Sequence, residues 1–237
     1  MIQNSYNDTP TLYLIPTPIG NLEDITYRAV KVLEEVDVIF SEDTRVTLNL
    51  LNNFGIKNKL ISLHEHNEDV VKTQVLEYLK NGSSVGLVTD RGTPIISDPG
   101  YKTVKYVSDN GYNVVALPGA TAFACALVTS GISPQPFLFY GFLNSKDSKK
   151  REELELIKEN EYTMIFYEAP HRIIKTLNMM LEVFGNREVS ISREITKKFE
   201  SIYRGKLEDV IKIVPEKGEF VIVVEGNKLS NIDFNLS

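Results

Sequence analysis

The residues best suited to chemistry lie in Ser84–Gly100, SVGLVTDRGTPIISDPG, where an apolar run meets a loop rich in Gly, Pro and Asp. The run Val85–Val88 is typical of a strand that is buried on both faces. Open α/β sheets bind their ligands at the carboxyl ends of such strands. In the loop that follows, Gly92 allows a ligand to approach the backbone closely, while Asp90 and Thr93 offer oxygen atoms to it. The stretch therefore predicts a ligand-binding loop.

Loops of the same kind follow three other predicted strands, with the sequences PTPIGN, SEDTR and PGATA. They suit a polar, partly cationic small molecule such as a sulfonium, because Glu42, Asp43, Asp90 and backbone carbonyls offset a positive centre. The chain contains no G-x-G-x-x-G after its first strand, no G-x-x-x-x-G-K-[ST] and no G-x-S-x-G. Spacing alone thus indicates a ligand-binding enzyme and leaves its reaction open.

Length and composition limit the class of protein to which this chain can belong. The chain has 237 residues, 24% of them charged, which is typical of a folded globular protein. It contains no apolar run near the ~20 residues that span a bilayer, and its polar N-terminus lacks the features of a signal peptide. Its one cysteine, Cys125, excludes an internal disulfide. We therefore expect a cytoplasmic protein that does not bind membranes.

Two further composition arguments concern metals and nucleic acids. His64 and His66 alternate along the chain and no cysteine joins them, so we expect no metal site. The net charge of −6 argues against indiscriminate coating of nucleic acid. A local basic patch still suffices for RNA binding.

The first half of the chain alternates predicted strands with helical patterns of a length that implies βαβ units and a parallel sheet. The predicted strands are Thr11–Ile15, Val38–Phe40, Leu60–Leu63, Val85–Val88 and Val114–Leu117. After Pro118-Gly119 the pattern changes, which predicts a second, mixed α/β domain. The expected division is 11–118 and 119–227, with loose tails at 1–10 and 228–237 and a ligand cleft between the two domains.

In the second domain, the predicted strands are Phe137–Gly141, Thr163–Tyr167, Glu188–Ser192 and Phe220–Glu225. The predicted helices are Ala120–Ser130, Lys149–Glu159, His171–Phe184 and Leu207–Ile213. A polar, basic loop is predicted over Asn144–Lys150.

Motifs over nearly the whole chain, from Leu12 to Gly226, resemble the ribosomal RNA small subunit methyltransferase I family, within the wider tetrapyrrole methylase fold. The matching stretches, in order, are LYLIPTPIGNLEDITYRAVKVLEEVD, SEDTR, HEHNE, TDRGTPIISDPGY, LPGATA, GFL, FYEAPHR, SREITKKFE and KGEFVIVVEG. The resemblance implies two α/β domains that hold S-adenosylmethionine. It also implies methylation of a cytidine 2′-hydroxyl in the decoding region of 16S ribosomal RNA, a homodimer and no metal.

The resemblance assigns cofactor-binding residues by position. In the first domain they are Pro18, Gly20, Asp90, Gly92, Thr93, Ala120 and Thr121. In the second domain, Tyr167, Glu168, Arg193 and Gly218 match motifs that face the cleft. Arg91 stands where the family usually has a small residue, and we expect it to point outward, towards RNA phosphate.

Methyl transfer to a ribose hydroxyl needs in-line positioning and partial removal of the hydroxyl proton. The candidate bases are Glu42, Asp43 and Glu168, with Arg45 or Arg193 orienting the phosphate or hydroxyl. The predicted RNA-binding cluster is Lys146, Lys149, Lys150 and Arg151, followed by Arg91, Lys197 and Lys198. The partner is 16S rRNA or the assembled small subunit.

Two other functions remain open at this point. A tetrapyrrole methyltransferase of the same fold would have an apolar, aromatic-lined acceptor site. A non-enzymatic ribosome-binding factor would have no affinity for S-adenosylmethionine.

Overall fold

A computed structural model describes residues 3, 5 and 8–227, in two compact units divided between Thr121 and Ala122. The expected tails at 1–10 and 228–237 lie largely outside the described residues. The two α/β units confirm the predicted fold class, a parallel sheet followed by a mixed one. In the described part of the chain, no helix combines the length and the apolar character needed to span a membrane.

The first unit is a five-stranded sheet with the order β3-β2-β4-β1-β5, in which every pair of neighbouring strands is parallel. Its strands are β1 (Thr11–Leu14), β2 (Val38–Ser41), β3 (Leu60–Ser62), β4 (Val85–Val88) and β5 (Asn113–Ala116). Its helices are α1 (Tyr27–Glu35), α2 (Thr44–Asn53), α3 (Glu68–Lys80) and α4 (Tyr101–Asp109). The central strand β4 is buried along its whole length, as its apolar sequence predicts.

This strand order determines which loops are neighbours. Strand β4 lies between β2 and β1, and all three run in the same direction. Their carboxyl ends therefore meet at one edge of the sheet, which we call the carboxyl edge. The loops that follow β1, β2 and β4 all lie there. The loop after β5 joins them because β5 pairs with β1.

The second unit is a mixed sheet with the order β6-β7-β10-β8-β9, in which only β6 and β7 are parallel among the described strands. Its strands are β6 (Phe137–Phe142), β7 (Thr163–Glu168), β8 (Glu188–Arg193), β9 (Ser201–Lys206) and β10 (Phe220–Val224). Its helices are α5 (Ala122–Thr129), α6 (Asp147–Ile157), α7 (Ile173–Phe184) and α8 (Leu207–Val210). Apolar residues of α5 cover one face of the sheet, and α6, α7 and α8 cover the other.

Two features of this unit differ from the sequence predictions. Strand β9 was not predicted, because SIYRGK is a half-exposed edge strand without an apolar run. The segment Asn144–Lys150 is not all loop, since α6 begins at Asp147.

Candidate functional site

The loops after β1 and β4 are joined at the carboxyl edge by a short antiparallel bridge between Thr17 and Gly92. The amide of each residue donates to the carbonyl of the other at 3.0 Å. Thr17 Oγ1 also donates to the carbonyl of Thr89 at 3.1 Å. Gly92 has a φ of +87°, and a Cβ there would lie 3.1 Å from Ile19 Cγ2 and 3.4 Å from the Ala120 carbonyl oxygen. The positive φ therefore favours glycine in this turn, and a Cβ would be a tight fit against Ile19 and the Ala120 carbonyl.

The loop after β5 packs beside this bridge. Thr93 Oγ1 donates to the Ala120 carbonyl at 3.1 Å and lies 2.7 Å from Thr121 Oγ1. Four residues that the sequence assigns to one binding surface, Gly92, Thr93, Ala120 and Thr121, are thus in mutual contact. Their role in binding stays a prediction.

Carboxylates gather around Thr89, the residue directly after β4. Thr89 Oγ1 donates to Glu42 Oε2 at 3.0 Å, and the main-chain amide of Asp43 donates to Asp90 Oδ1 at 3.0 Å. Asp98 completes the group that we call the carboxylate cluster: Glu42, Asp90 and Asp98. Partial burial, followed by the negative charge of Glu42 and that of Asp90, raises the pKa of Asp98 to about 6, against a hydrogen bond with Thr89 that lowers it.

Asp98 is the residue that reasoning from the sequence missed. It lies in the quoted stretch SDPG, which by itself indicates only a turn. A carboxyl group that lies near two others at a sheet edge acquires a raised pKa. The sequence does not show this proximity, because Glu42 follows β2 whereas Asp90 and Asp98 follow β4, and only the fold brings them together.

Asp43 and Arg45 have a different arrangement. Asp43 caps the N-terminus of α2, and its carboxylate accepts from the Arg45 backbone amide at 2.8 Å and from Arg45 Nη2 at 2.6 Å. These hydrogen bonds from Arg45 lower the pKa of Asp43 to about 2. Such a carboxylate is a weak base, so Asp43 is poorly suited to accept a proton from a substrate hydroxyl.

A groove of about 220 Å³ opens between the carboxyl edge and helix α2. We call it the α2 groove. Its apolar lining comes from Pro18, Gly20 and Leu22 after β1 and from Val46 and Leu50 on α2. Its polar lining comes from Thr17 after β1, from Thr47, Asn49 and Asn53 on α2, and from Thr89, Asp90 and Arg91 after β4. Arg91 is exposed.

In the second unit, Tyr167 belongs to an aromatic cluster. Its hydroxyl accepts a hydrogen bond from the Phe123 amide at 3.3 Å, and its ring meets those of Phe139 and Phe142 edge to face. Phe142 is 53% exposed. The cluster therefore leaves part of its apolar surface in contact with solvent.

Arg193 and Gly218 are close together. Arg193 Nε donates to the Lys217 carbonyl at 2.5 Å, and a Cβ on Gly218 would lie 3.0 Å from Arg193 Nε. Gly218 has a φ of +111°, so it supplies a conformation as well as space. Lys197, nearby, is paired with Glu194 at 3.1 Å and Glu219 at 2.6 Å. Lys198 is exposed.

Two predictions for the second unit need correction. Lys150, predicted to bind RNA, and Glu168, predicted as a base, each have side chains only 1% exposed. Lys150 Nζ donates to Glu168 Oε2 at 3.1 Å and to Thr176 Oγ1 at 2.6 Å. Arg172 Nε lies 2.8 Å from Glu168 Oε1. Burial keeps both side chains away from RNA and from a substrate hydroxyl.

The remaining cations of the predicted RNA cluster, Lys146, Lys149 and Arg151, are exposed. Arg151 is paired with Glu182 on α7.

No group of three or more His, Cys, Asp or Glu side chains in the described ranges is arranged to hold a metal ion.

Comparisons with known proteins give consistent results. Residues 11–211 match the model of a family described as tetrapyrrole (corrin/porphyrin) methylases. Curated relatives called "Ribosomal RNA small subunit methyltransferase I" include one from Bacillus subtilis (strain 168), 49% identical over 97% of this chain and 80% of the relative. One from Halalkalibacterium halodurans is 47% identical, over 95% and 80%. Another, from Escherichia coli O157:H7, is 42% identical, over 98% and 83%.

A solved structure with the same fold is that of a uroporphyrin-III-C-methyltransferase from Thermus thermophilus. It is 17% identical, has a TM-score of 0.62, and is matched over 90% of this chain and 93% of that one. With sequence identity this low, the similarity supports the fold alone.

Proposed function

We propose that this chain, which belongs to the ribosomal RNA small subunit methyltransferase I family of tetrapyrrole methylases, transfers a methyl group from S-adenosylmethionine to ribosomal RNA. The acceptor is the 2′-hydroxyl of a cytidine in the decoding region of 16S rRNA. The protein acts in the cytoplasm as a homodimer, on the RNA or on the small subunit. The observation that carries the proposal is the carboxylate cluster at the carboxyl edge of the first sheet, in a chain whose relatives are rRNA methyltransferases.

The residues present fit the implied methyl donor. Gly92 has a φ of +87° and lies close to the Ala120 carbonyl, so it brings the loop after β4 against the loop after β5, where the cofactor-binding residues are predicted. Thr93, Ala120 and Thr121 would hold its polar groups from one side, and Asp90 would offset its positive charge. When bound, S-adenosylmethionine supplies a methyl group already activated by a sulfonium.

The chain's own residues then have two tasks. The first is to position the ribose hydroxyl in line at a reacting distance of about 3–3.5 Å. The second is to accept its proton. Asp98, with a pKa of about 6, is largely ionised at neutral pH and still basic enough to take a proton. Glu42 is its nearest alternative, and Thr89 orients the Glu42 carboxylate through its hydrogen bond.

The test is a transfer assay with S-adenosylmethionine that carries a labelled methyl group. Purified protein is incubated with naked 16S rRNA and, separately, with small subunits that lack the modification. Resistance of the labelled nucleotide to alkaline cleavage identifies a 2′-O-methyl group, and mapping identifies its position. Label on a base, or no label on either RNA, contradicts the proposal. Light scattering of the same preparation tests the homodimer.

A further inference from the structure

We propose that Arg172 binds a phosphate group of the RNA, and that the buried carboxylate of Glu168 holds the guanidinium in position for this contact. The inference rests on the proposed function, because it takes RNA as the substrate. It adds a phosphate-binding residue that lies outside the predicted basic cluster, at the end of the motif FYEAPHR.

The first observation is that both oxygens of the Glu168 carboxylate are fully occupied. Oε1 accepts from the Ala169 amide at 2.8 Å and lies 2.8 Å from Arg172 Nε. Oε2 accepts from Lys150 Nζ at 3.1 Å and from Thr176 Oγ1 at 2.5 Å. The side chain of Glu168 is 1% exposed. A buried carboxylate with four partners is held rigidly, so it fixes the side of the Arg172 guanidinium that it contacts.

The second observation is an excess of positive charge around this carboxylate. Two cations, Lys150 and Arg172, share the single negative charge of Glu168. Lys150 is as deeply buried as Glu168 and balances its charge inside the fold, which leaves the charge of Arg172 for another partner. The carboxylate of Asp147, in the first turn of α6, is already paired with Lys175 on α7. A bound anion would therefore balance Arg172.

The third observation is that Arg172 keeps donors for a ligand. Its Nε is buried, whereas the side chain as a whole is 20% exposed. Among the described residues, Nη1 and Nη2 have no hydrogen-bond partner, and neither atom is buried. A guanidinium presents its N–H donors in a flat, rigid fork that matches the oxygens of a phosphate group. The edge formed by Nη1 and Nη2 therefore suits phosphate.

The place of Arg172 in the fold also favours an anion. Strands β6 and β7 are parallel neighbours and each is followed by a helix, so α6 and α7 begin at the same edge of the second sheet. Arg172 is the N-cap of α7, whose first turn contains no acidic residue. The positive end of a helix dipole repels a cation and attracts an anion. An anion at Arg172 thus offsets both the dipole and the excess charge.

RNA is the source of this anion that the surroundings favour. Lys146 and Lys149, both exposed, lie at the start of α6 and therefore at the same edge as Arg172. Several cations at one edge suit a chain of phosphates. S-adenosylmethionine also carries a carboxylate, but its sulfonium and ammonium groups are repelled by a surface of this sign.

The binding test uses nuclear magnetic resonance of the full chain. The side-chain N–H signals of Arg172, assigned with Arg172→Lys, are followed during titration with a single-stranded oligoribonucleotide and, separately, with S-adenosylhomocysteine, which carries the same carboxylate as the cofactor. We expect the oligoribonucleotide to shift these signals and S-adenosylhomocysteine to leave them in place. A shift with S-adenosylhomocysteine, or no shift with the oligoribonucleotide, overturns the inference.

The affinity test compares Arg172→Gln with Arg204→Gln, which removes the same charge from β9, the edge strand farthest from β6 and β7. In Arg172→Gln the KM for the RNA substrate should rise about ten- to a hundredfold, the range for a hydrogen bond to a charged group. The log–log salt slope of binding should fall by about 0.7–0.9, with unchanged affinity for S-adenosylmethionine. Arg204→Gln should keep the wild-type KM and slope.

The positioning role of Glu168 needs a variant that does not leave Lys150 buried without a partner. Glu168→Gln combined with Lys150→Met removes both charges and keeps Arg172. Because the charge of Arg172 remains while its orientation is lost, the KM for RNA should rise about three- to tenfold with an unchanged salt slope. A wild-type KM in this folded double variant would overturn the role of Glu168.

The deciding measurement separates phosphate binding from a purely structural role of Arg172. A structural role would lower the stability of Arg172→Gln and leave its salt slope at the wild-type value. If the wild type methylates RNA and folded Arg172→Gln keeps that slope, the inference fails and the proposed function stands. If Arg172→Gln does not fold, Arg172→Lys decides, because it keeps the charge without the fork, and a wild-type KM then overturns the inference. If the wild type methylates no RNA, the proposed function itself fails.

Discussion

The carboxylate cluster of the first unit and the buried ion pair of the second use the same kinds of groups in opposite ways. Around Glu168, each carboxylate oxygen faces a cation: Lys150 on one side and Arg172 on the other. Around Thr89, carboxylates lie near one another, and burial together with the negative charges of Glu42 and Asp90 raises the pKa of Asp98. Matched charges hold a structure together, whereas like charges gathered at a sheet edge are typical of reacting sites.

The same contrast applies to hydroxyl groups. Thr176 Oγ1 has partners on both sides, since it accepts from Lys150 Nζ at 2.6 Å and donates to Glu168 Oε2 at 2.5 Å. Thr47 Oγ1 is equally buried and, among the described residues, has no partner. A completed network needs nothing from outside the protein. The burial of Thr47 Oγ1 therefore costs stability that the burial of Thr176 Oγ1 does not.

The largest expected effect comes from breaking the matched pair. Lys150→Met leaves Glu168 buried without one of its two cations, and removing one partner of a buried pair costs about 3–5 kcal/mol of unfolding free energy. Denaturant unfolding followed by circular dichroism measures the loss. The matched control is Lys149→Met, the exposed neighbour, for which a surface change within about 0.5 kcal/mol is expected. Equal stability of the two variants would show that the pair is not structural.

A change at the bridge between the β1 and β4 loops should have the next largest effect. Gly92→Val forces a branched side chain into a φ of +87° and against Ile19, at a cost of about 1–3 kcal/mol in strain. We expect affinity for S-adenosylmethionine, measured by titration calorimetry, to fall more than tenfold in a protein that still folds.

Gly55 provides the control for that substitution. It has a φ of +69°, but nothing lies within 4 Å of a Cβ there. Gly55→Val therefore shares the backbone strain of Gly92→Val and lacks the contacts at the carboxyl edge. Wild-type affinity in a folded Gly92→Val protein would remove this loop from the binding site.

Asp98→Asn tests whether like charges at the carboxyl edge cost stability. The folded-state pKa of Asp98 lies above its ordinary value of 3.8, so the native state binds its proton more tightly than the unfolded state. Stability from this group is therefore greatest below pH 4 and is lost as the pH rises through 6. Allowing for solvent screening of a partly exposed group, we expect Asp98→Asn to be more stable at pH 8 by on the order of 1 kcal/mol.

Asp98→Asn should lower the methyl-transfer activity although it raises the stability of the protein at pH 8. In the wild type, kcat/KM should fall as the pH drops through about 6, because the carboxylate becomes protonated. In Asp98→Asn this acid limb should disappear, and the rate at pH 8 should be lower by about 10²–10⁴-fold, the range for loss of a general base. An unchanged pH profile would assign proton transfer to Glu42 or to water.

Much of the fold could be predicted from the sequence, because the signals for strands and turns are local. The apolar runs of β4 and β10 and the breaks after them are visible in five or six residues, and both strands appear where they were predicted. Strand β9 was missed because an edge strand is stabilised by pairing with β8, which SIYRGK does not reveal. Pairing partners are not local information.

The site was predicted less completely, for the same reason. Thr93 follows β4, and Ala120 and Thr121 follow β5, two parallel strands on either side of β1, so loop position was enough to suggest their contact. The roles of Asp98 and Lys150 depend on neighbours from other elements. Lys150 looked like its neighbours Lys149 and Arg151, but the turn of α6 directs it towards Glu168 and Thr176. Charge type alone does not separate a phosphate-binding lysine from a buried one.

The smallest expected effect concerns RNA binding, and the buried pair determines how to measure it. Replacing Lys150 together with its exposed neighbours would mix a loss of stability with a loss of RNA affinity, so only Lys146, Lys149 and Arg151 are changed to Ala. With a net charge of −6 the whole protein repels RNA, and attraction has to be local. Each phosphate that is no longer neutralised should lower the log–log salt slope of binding by about 0.7–0.9. The pair of Arg151 with Glu182 is exposed, so its removal should affect stability little.

The control for this triple variant removes three exposed lysines elsewhere, Lys31, Lys105 and Lys212, and so changes the net charge equally. Affinity for subunits is measured across a salt series for both proteins, with cofactor affinity as a check on the fold. We expect a flatter salt dependence only for the variant at Lys146, Lys149 and Arg151, because position and not total charge determines which phosphates are neutralised. Equal slopes in the two variants would mean that these residues only keep the protein soluble. The RNA path would then run past Arg91 and Lys198, because Lys197 is already held by two carboxylates.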